Sequence, residues 1–286
     1  MSSKTLIGID LGATNVRVAR IFDNKIEEIA SEPISNTDKA ESLIEQMKAM
    51  ISEVINSSVQ GIGVGVPSVV DVEKGIVYDV QNIPSWKEVP LKDILEKEFS
   101  KPTFINNDAN CFALGEKYFG AGKGFKSVVG LILGTGFGSG LILNNSLYSG
   151  SNCGAGEVGM LPYKDSIFEH YCSGQFFEIH KNTTGEEVFN QAKAGTTTAL
   201  DIYKEFGTHL GNAIKAVVYA YDPEVIILGG SASNAFPFFK ESMNKALVDF
   251  AYPNSIRNLK IKTTELEQVA VLGAAALPLD HQFLNK

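Results

Sequence analysis

The stretch Ile7-Gly8-Ile9-Asp10-Leu11-Gly12-Ala13-Thr14-Asn15, followed by the apolar-rich run Val16 to Ile21, decides how this chain is read. It has the pattern strand, short Gly/Thr turn, strand. A second copy stands in mid-chain: Val129-Gly130-Leu131-Ile132-Leu133-Gly134-Thr135-Gly136-Phe137-Gly138, followed by Leu141-Ile142-Leu143. Glycine lets backbone N–H groups turn toward an anion and lets a phosphate come close. Two such turns suggest two lobes gripping one polyphosphate, which points to an ATP-using phosphotransferase.

Outward from the first turn, the chain alternates strands and helices. Residues 5 to 11 and 15 to 22 predict a hairpin. Leu43, Ile44, Met47, Met50, Ile51, Val54 and Ile55 form a helical stripe within 38 to 56. Asn36-Thr37-Asp38 supplies candidate caps for its start. A buried strand at Gly61 to Val66, a helix at Leu91 to Phe99 and a strand at Thr103 to Ile105 follow. A helix from about Ala109 to Tyr118 comes next. The second half restarts with a hairpin over 127 to 144. An irregular stretch over 145 to 195, a helix over 197 to 221 and a strand at Glu224 to Leu228 come after it. The end, Glu267 to Leu279, predicts a last helix that begins with small residues, Gly273-Ala274-Ala275-Ala276. This is an α/β pattern, duplicated at the scale of a domain.

Composition narrows the partners. The chain has 286 residues, 44% of them hydrophobic and 20% charged, with a net charge of −8. Without a long Lys/Arg block, a dedicated nucleic-acid surface is not expected. No apolar run approaches the ~20 residues of a membrane span. Three widely spaced cysteines, Cys111, Cys153 and Cys172, suit free thiols in a reducing compartment. A cytoplasmic protein is the expectation.

Taken alone, a glycine-rich turn is weak information, because tight turns need glycine anyway. Gly120-Ala121-Gly122-Lys123-Gly124 is a Walker A decoy: Lys117 stands where the first glycine belongs, and Lys123 precedes Gly rather than Ser/Thr. The Gly134 to Gly140 run lies between two strands, whereas a dinucleotide fingerprint opens a helix. Asp10 is a sharper candidate. A carboxylate ending an apolar strand is costly unless paired or bound to a cation; it suits orientation of Mg²⁺ through water, with Thr14 and Arg17 nearby. The bland alternative is an Asx turn. Asp108 follows a short strand and starts a helix among Asn106, Asn107 and Asn110. It reads as a helix N-cap, a position that would also keep the carboxylate fixed and ionised, as a general base requires.

These residues resemble the ROK sugar kinases of the actin/hexokinase/Hsp70 superfamily. Asp10 to Arg17 is similar to that family's first phosphate motif, and Gly63 to Asp71 to its strand-Pro segment, with Ser68 beside the sugar. Asn107-Asp108-Ala109-Asn110, ending in Ala113-Leu114-Gly115-Glu116, is similar to its catalytic signature. Leu133 to Gly138 resembles the second phosphate motif. Gly156-Glu157-Val158-Gly159 and Glu169-His170-Tyr171-Cys172-Ser173-Gly174 resemble its sugar-binding segments, and Ile227 to Ser231 its adenosine segment.

The resemblance implies a two-lobed, actin-like (ribonuclease H-like) α/β fold around a cleft. Residues 1–107 with the C-terminal helix 267–286 would form the smaller lobe, and 108–266 the larger. It implies ATP and Mg²⁺ as cofactors, with Asp10, Gly12, Thr14, Arg17, Gly134, Thr135, Gly136, Gly229 and Gly230 at the nucleotide. Ser68, Asn107, Glu157 and Glu169 would lie at a hexose and Asp108 would be the base, in a homodimer. The expected reaction is transfer of the γ-phosphate to the 6-hydroxyl of a hexose, glucose above all. N-acetylglucosamine, N-acetylmannosamine, mannose and fructose are the alternative substrates, and a non-catalytic sugar sensor is the alternative role. The chain departs from the family pattern at Met160, where many members have a His that touches sugar and a structural zinc. It also lacks their cysteine cluster, the corresponding segment being Leu161 to Phe168. A zinc site is therefore not expected.

Overall fold

The computed structural model describes residues 4–35, 38–80 and 82–284, the last three as backbone only. The candidate caps Asn36 and Thr37 lie outside the described residues.

The chain opens with β1 (Thr5–Leu11), β2 (Asn15–Phe22), β3 (Lys25–Pro33), α1 (Ala40–Val54) and β4 (Val59–Val66). The short strands β5 (Val69–Asp71), β6 (Ile76–Tyr78) and β7 (Glu88–Val89) precede α2 (Leu91–Phe99), β8 (Thr103–Asn107) and α3 (Asp108–Phe119). Next come β9 (Val128–Leu133), β10 (Phe137–Leu143), β11 (Ser146–Leu147), β12 (Pro162–Tyr163), β13 (Ser166–Ile167) and α4 (Glu169–Cys172). α5 (Gln175–Lys181), α6 (Gly185–Lys193) and α7 (Thr197–Tyr221) lead to β14 (Val225–Gly229), α8 (Phe236–Ala246), α9 (Pro253–Asn258), β15 (Lys260–Thr263) and α10 (Val269–Leu284).

Two compact units result: Met1–Gly124 with Gly140–Ala155 and Glu265–Lys286, and Phe125–Ser139 with Gly156–Thr264. In the first, the sheet order is β3-β2-β1-β4-β8, with β1 antiparallel to β2 and parallel to β4. Every residue of β1 is buried, as suits a central strand covered on both faces. The α1 stripe Leu43, Met47, Met50, Ile51 and Val54 joins Ile7, Ile9, Val18 and Val64 in one core. Trp86, fully buried, donates its indole N–H to the Ala40 carbonyl at 3.3 Å. The other face is covered by α10, and there backbones nearly touch. A Cβ on Gly63 would overlap the Ala274 carbonyl, and one on Gly8 the Val271 carbonyl. The small residues opening α10 are the matching half of this approach.

The same helix explains why α3 belongs to the first unit. A Cβ on Gly273 would overlap the carbonyl of Cys111, so α3 and α10 pack at glycine distance. Both helices lie in the first unit.

The second five-stranded sheet has the order β11-β10-β9-β14-β15, which repeats the order of the first. The unit boundary falls inside β10. β14 runs parallel to both β9 and β15. In the same unit, Phe176, Phe177, Tyr203, Phe206 and Phe239 form an aromatic core, all of them nearly or fully buried. The stretch expected to be irregular holds α5 and α6. The latter begins with a complete capping box, the Thr184 hydroxyl accepting from the Glu187 N–H and Glu187 reaching back.

Candidate active site

In the first unit, the turn between β1 and β2 closes with the Gly12 N–H donating to the Asn15 carbonyl at 3.0 Å. The Thr14 hydroxyl accepts from the Asn15 side chain at 2.9 Å. Asp10 and Arg17 are direct partners in the antiparallel register, and Arg17 Nη1 donates to Asp10 Oδ2 at 3.0 Å. Burial pushes the Asp10 carboxyl up from its ordinary range, and the guanidinium partly opposes this.

Asn107 and Asp108 stand where β8 becomes α3. The cap is Asn107, not Asp108 as the sequence suggested. Asn107 is extended and its side chain accepts from the Ala109 N–H, while Asp108 is the first helical residue. Asp108 Oδ1 accepts from that same N–H at 2.8 Å, so its carboxylate is oriented at the positive end of the helix. The Asn107 amide donates to the Ser68 carbonyl at 3.4 Å, and the Ser68 hydroxyl donates to the Tyr78 carbonyl. The structure thus brings Ser68, Asn107 and Asp108 together. Behind them, Asn106 Oδ1 accepts from the Asn107 N–H at 2.8 Å and from the buried Asn110 amide at 2.9 Å. The asparagine run signalled this support, although its hydrogen-bond pattern needs the fold. Cys111 is fully buried; desolvation first, then the charges of Asp108 and Asp10, push its thiol well up.

In the second unit, the β9–β10 turn closes with the Gly134 N–H donating to the Gly136 carbonyl at 3.0 Å. At Gly134 a Cβ would meet nothing closer than 4.0 Å. Packing within the chain therefore does not demand a glycine there, and the open space suits an approaching phosphate. Glu169 is tied directly to this turn: the Phe137 N–H donates to its Oε2 at 2.9 Å. A Cβ on Gly136 would come within 2.8 Å of that oxygen. Glu157 precedes a 3-10 turn at Val158–Met160. Its carboxyl is pushed up by burial first and by the Glu169 charge second, so the two carboxylates share one neighbourhood. Gly229 ends β14 opposite Ile132, and Gly230 follows with φ of 81°.

Met160 is exposed. Among the described residues, no group of three or more His, Cys, Asp or Glu side chains is placed to hold a metal ion. No helix among the described residues is long and apolar enough to cross a membrane.

A sequence model of the ROK family matches residues 6–281. The chain belongs to the ROK family. This ROK chain is 29% identical to the glucokinase of Thermotoga maritima, over 97% of its length and 98% of that protein. It is 31% identical to the N-acetyl-D-glucosamine kinase of Vibrio cholerae, over 82% of its length and 86% of that enzyme. A xylose repressor of Caldicellulosiruptor bescii is 28% identical over 96% of this chain and 77% of the repressor. In fold it resembles a ROK family glucokinase from Streptomyces griseus, solved in complex with glucose and AMPPNP. The TM-score is 0.78 at 24% identity, covering 97% of this chain and 99% of that one. The α/β architecture is thus shared with a solved ROK family glucokinase.

Proposed function

We propose that this ROK protein is an ATP-dependent sugar kinase that phosphorylates the 6-hydroxyl of a hexose, glucose before others. The observation that carries the proposal is the Asn107–Asp108 junction, a carboxylate oriented at the start of α3 beside an asparagine bonded to the Ser68 segment. Asp108 takes the proton of the attacking hydroxyl as the γ-phosphoryl group is transferred. Asn107, Ser68, Glu157 and Glu169 hold the sugar hydroxyls. The turns at Gly12–Thr14 and Gly134–Gly136 hold the phosphates with backbone N–H groups, with Arg17 beside the first, and Gly229 and Gly230 border the adenosine. Bound Mg²⁺ neutralises charge on the phosphates, and the buried, charge-bearing Asp10 is the residue that would orient it through water. Similarity to both glucokinase and N-acetyl-D-glucosamine kinase supports a sugar kinase more strongly than it supports glucose.

Similarity to a repressor supports a second reading, a sugar sensor without chemistry. The deciding experiment measures ADP release from Mg·ATP with a panel of hexoses and N-acetylhexosamines, for the parent and Asp108→Asn. Sugar-dependent release that falls about a thousandfold in the variant is expected. Sugar binding without sugar-dependent turnover would favour the sensor.

A further inference from the structure

Glu169 is held by more than the turn. Its Oε1 accepts from the Gln175 amide at 3.1 Å, and the same amide lies 3.4 Å from the Thr135 carbonyl. The main chain between them is pinned as well. The Ser173 hydroxyl donates to the Glu169 carbonyl at 2.7 Å and accepts from the Gln175 N–H at 3.2 Å. The Gly174 N–H donates to the Gly134 carbonyl at 2.7 Å.

A carboxylate held by one oxygen can rotate about that bond; a donor on each oxygen fixes its plane. Hydrogen bonds to a charged acceptor are the stronger kind. We infer that Gln175 is a positioning residue, clamping the Glu169 carboxylate to the second glycine turn and so setting how tightly the sugar is held. The inference rests on the sugar-kinase proposal, and it assigns a role to a residue outside every motif that suggested that proposal. Gln175 acts through Glu169 and takes no part in proton or phosphoryl transfer. Its loss therefore acts on the sugar KM far more than on kcat.

Two replacements separate positioning from bulk packing. Gln175→Leu removes the donor. Gln175→Glu keeps the shape but sets a second carboxylate against Glu169, and two such groups at this spacing relax only by sharing a proton. Steady-state kinetics of parent and variants are compared from pH 8 to pH 5.5, with melting temperatures measured alongside. We expect both variants to raise the sugar KM about tenfold at pH 8, with kcat and the ATP KM nearly unchanged. On acidification the Gln175→Glu defect shrinks relative to the parent, and the Gln175→Leu defect does not.

A sugar KM within about twofold of the parent in both variants overturns the inference. So does a loss in kcat alone, a defect in Gln175→Glu with no pH dependence, or failure of both variants to fold. If the leucine variant alone fails to fold, the pH behaviour of the glutamate variant decides. A parent without sugar-dependent turnover overturns the kinase proposal itself, a result distinct from an active parent with indifferent variants.

Discussion

Arg17 faces Asp10 directly across the β1–β2 hairpin, and its guanidinium donates to the carboxylate at 3.0 Å. The pair accounts for how an acidic side chain only 8% exposed is accommodated at the end of an apolar strand. It also gives a direct bond to two residues that the sequence placed only near one another at the nucleotide. Arg17 reaches toward solvent while Asp10 does not, so the two partners respond differently to removal.

Arg17→Met should destabilise the protein by about 1–2 kcal/mol, below the usual range for breaking a buried pair, because the arginine side chain is 39% exposed and screened. The pH dependence gives the sign. Burial already raises the folded pKa of Asp10, and the variant raises it further. The folded state then retains a proton that the unfolded state has released. Its stability is intact below the ordinary carboxylate range and is lost as pH rises through the raised value. Urea denaturation should therefore show a larger deficit at pH 8 than at pH 4.5. An equal deficit at both would mean that Asp10 does not feel the loss of Arg17.

Glu157 and Glu169 offer a second test. Burial is the larger cause of the raised Glu157 pKa, and the Glu169 charge the smaller. Glu169→Gln removes the smaller cause alone. Glu157 should then titrate at lower pH than in the parent, while staying above an ordinary glutamate. Carboxyl ¹³C NMR of the folded protein reads this directly. An unmoved or raised Glu157 titration would show that the two side chains do not interact electrostatically.

How much of this could be read in advance depended on the distance over which each feature is decided. Both hairpins and the α1 stripe were legible because apolar periodicity and glycine turns are local. The edge strand β3 was not, since Lys25–Pro33 is largely exposed and rich in charge. At the β8–α3 junction, Asn107 and Asp108 are both good caps; the extended backbone of Asn107 decides between them, and composition does not record it. The bond from Phe137 to Glu169 joins residues 32 positions apart. The motifs supplied the two partners, and only the packing of α4 and α5 on the turn supplied their contact.

The segment Leu161 to Phe168, which the family resemblance aligns with a zinc-binding stretch, holds aromatic rings instead of cysteines. β12 and β13 form a small hairpin whose Tyr163 ring stacks on Phe168 at 4.4 Å and meets Tyr171 edge-on at 5.2 Å. An aromatic cluster can hold such a segment by burial and ring contacts alone. Purified protein should contain no stoichiometric zinc, and dialysis against a chelator should move the melting temperature by no more than about 1 °C. Tyr163→Ala should instead destabilise by about 2 kcal/mol. Zinc at one per chain, or unfolding on chelation, would overturn this account of the segment.

That cluster also contains a buried histidine with a defined protonation state. The Asn212 amide donates to the Tyr163 hydroxyl at 3.0 Å, leaving the tyrosine to donate its own proton to His209 Nδ1, also at 3.0 Å. Nε2 then carries the hydrogen of a neutral ring. It has no hydrogen-bond partner among the described residues, with Glu205 at 3.7 Å. Burial, reinforced by the nearby Lys164 charge and opposed by Glu205, lowers the His209 pKa to about 4. Unfolded histidine titrates near 6.5, so between these values the unfolded chain binds the proton and the folded chain does not. The stability that His209 contributes by remaining neutral is present above pH 6.5. It is lost as the pH falls toward 4, by an amount on the order of 3 kcal/mol. His209→Gln cannot take up that proton. The variant should be less stable than the parent at pH 7.5, where it lacks the aromatic packing of the ring, and the gap should narrow or reverse by pH 5. Chemical denaturation across this range measures both slopes. Parallel slopes would show that His209 is not the group through which acid destabilises this unit.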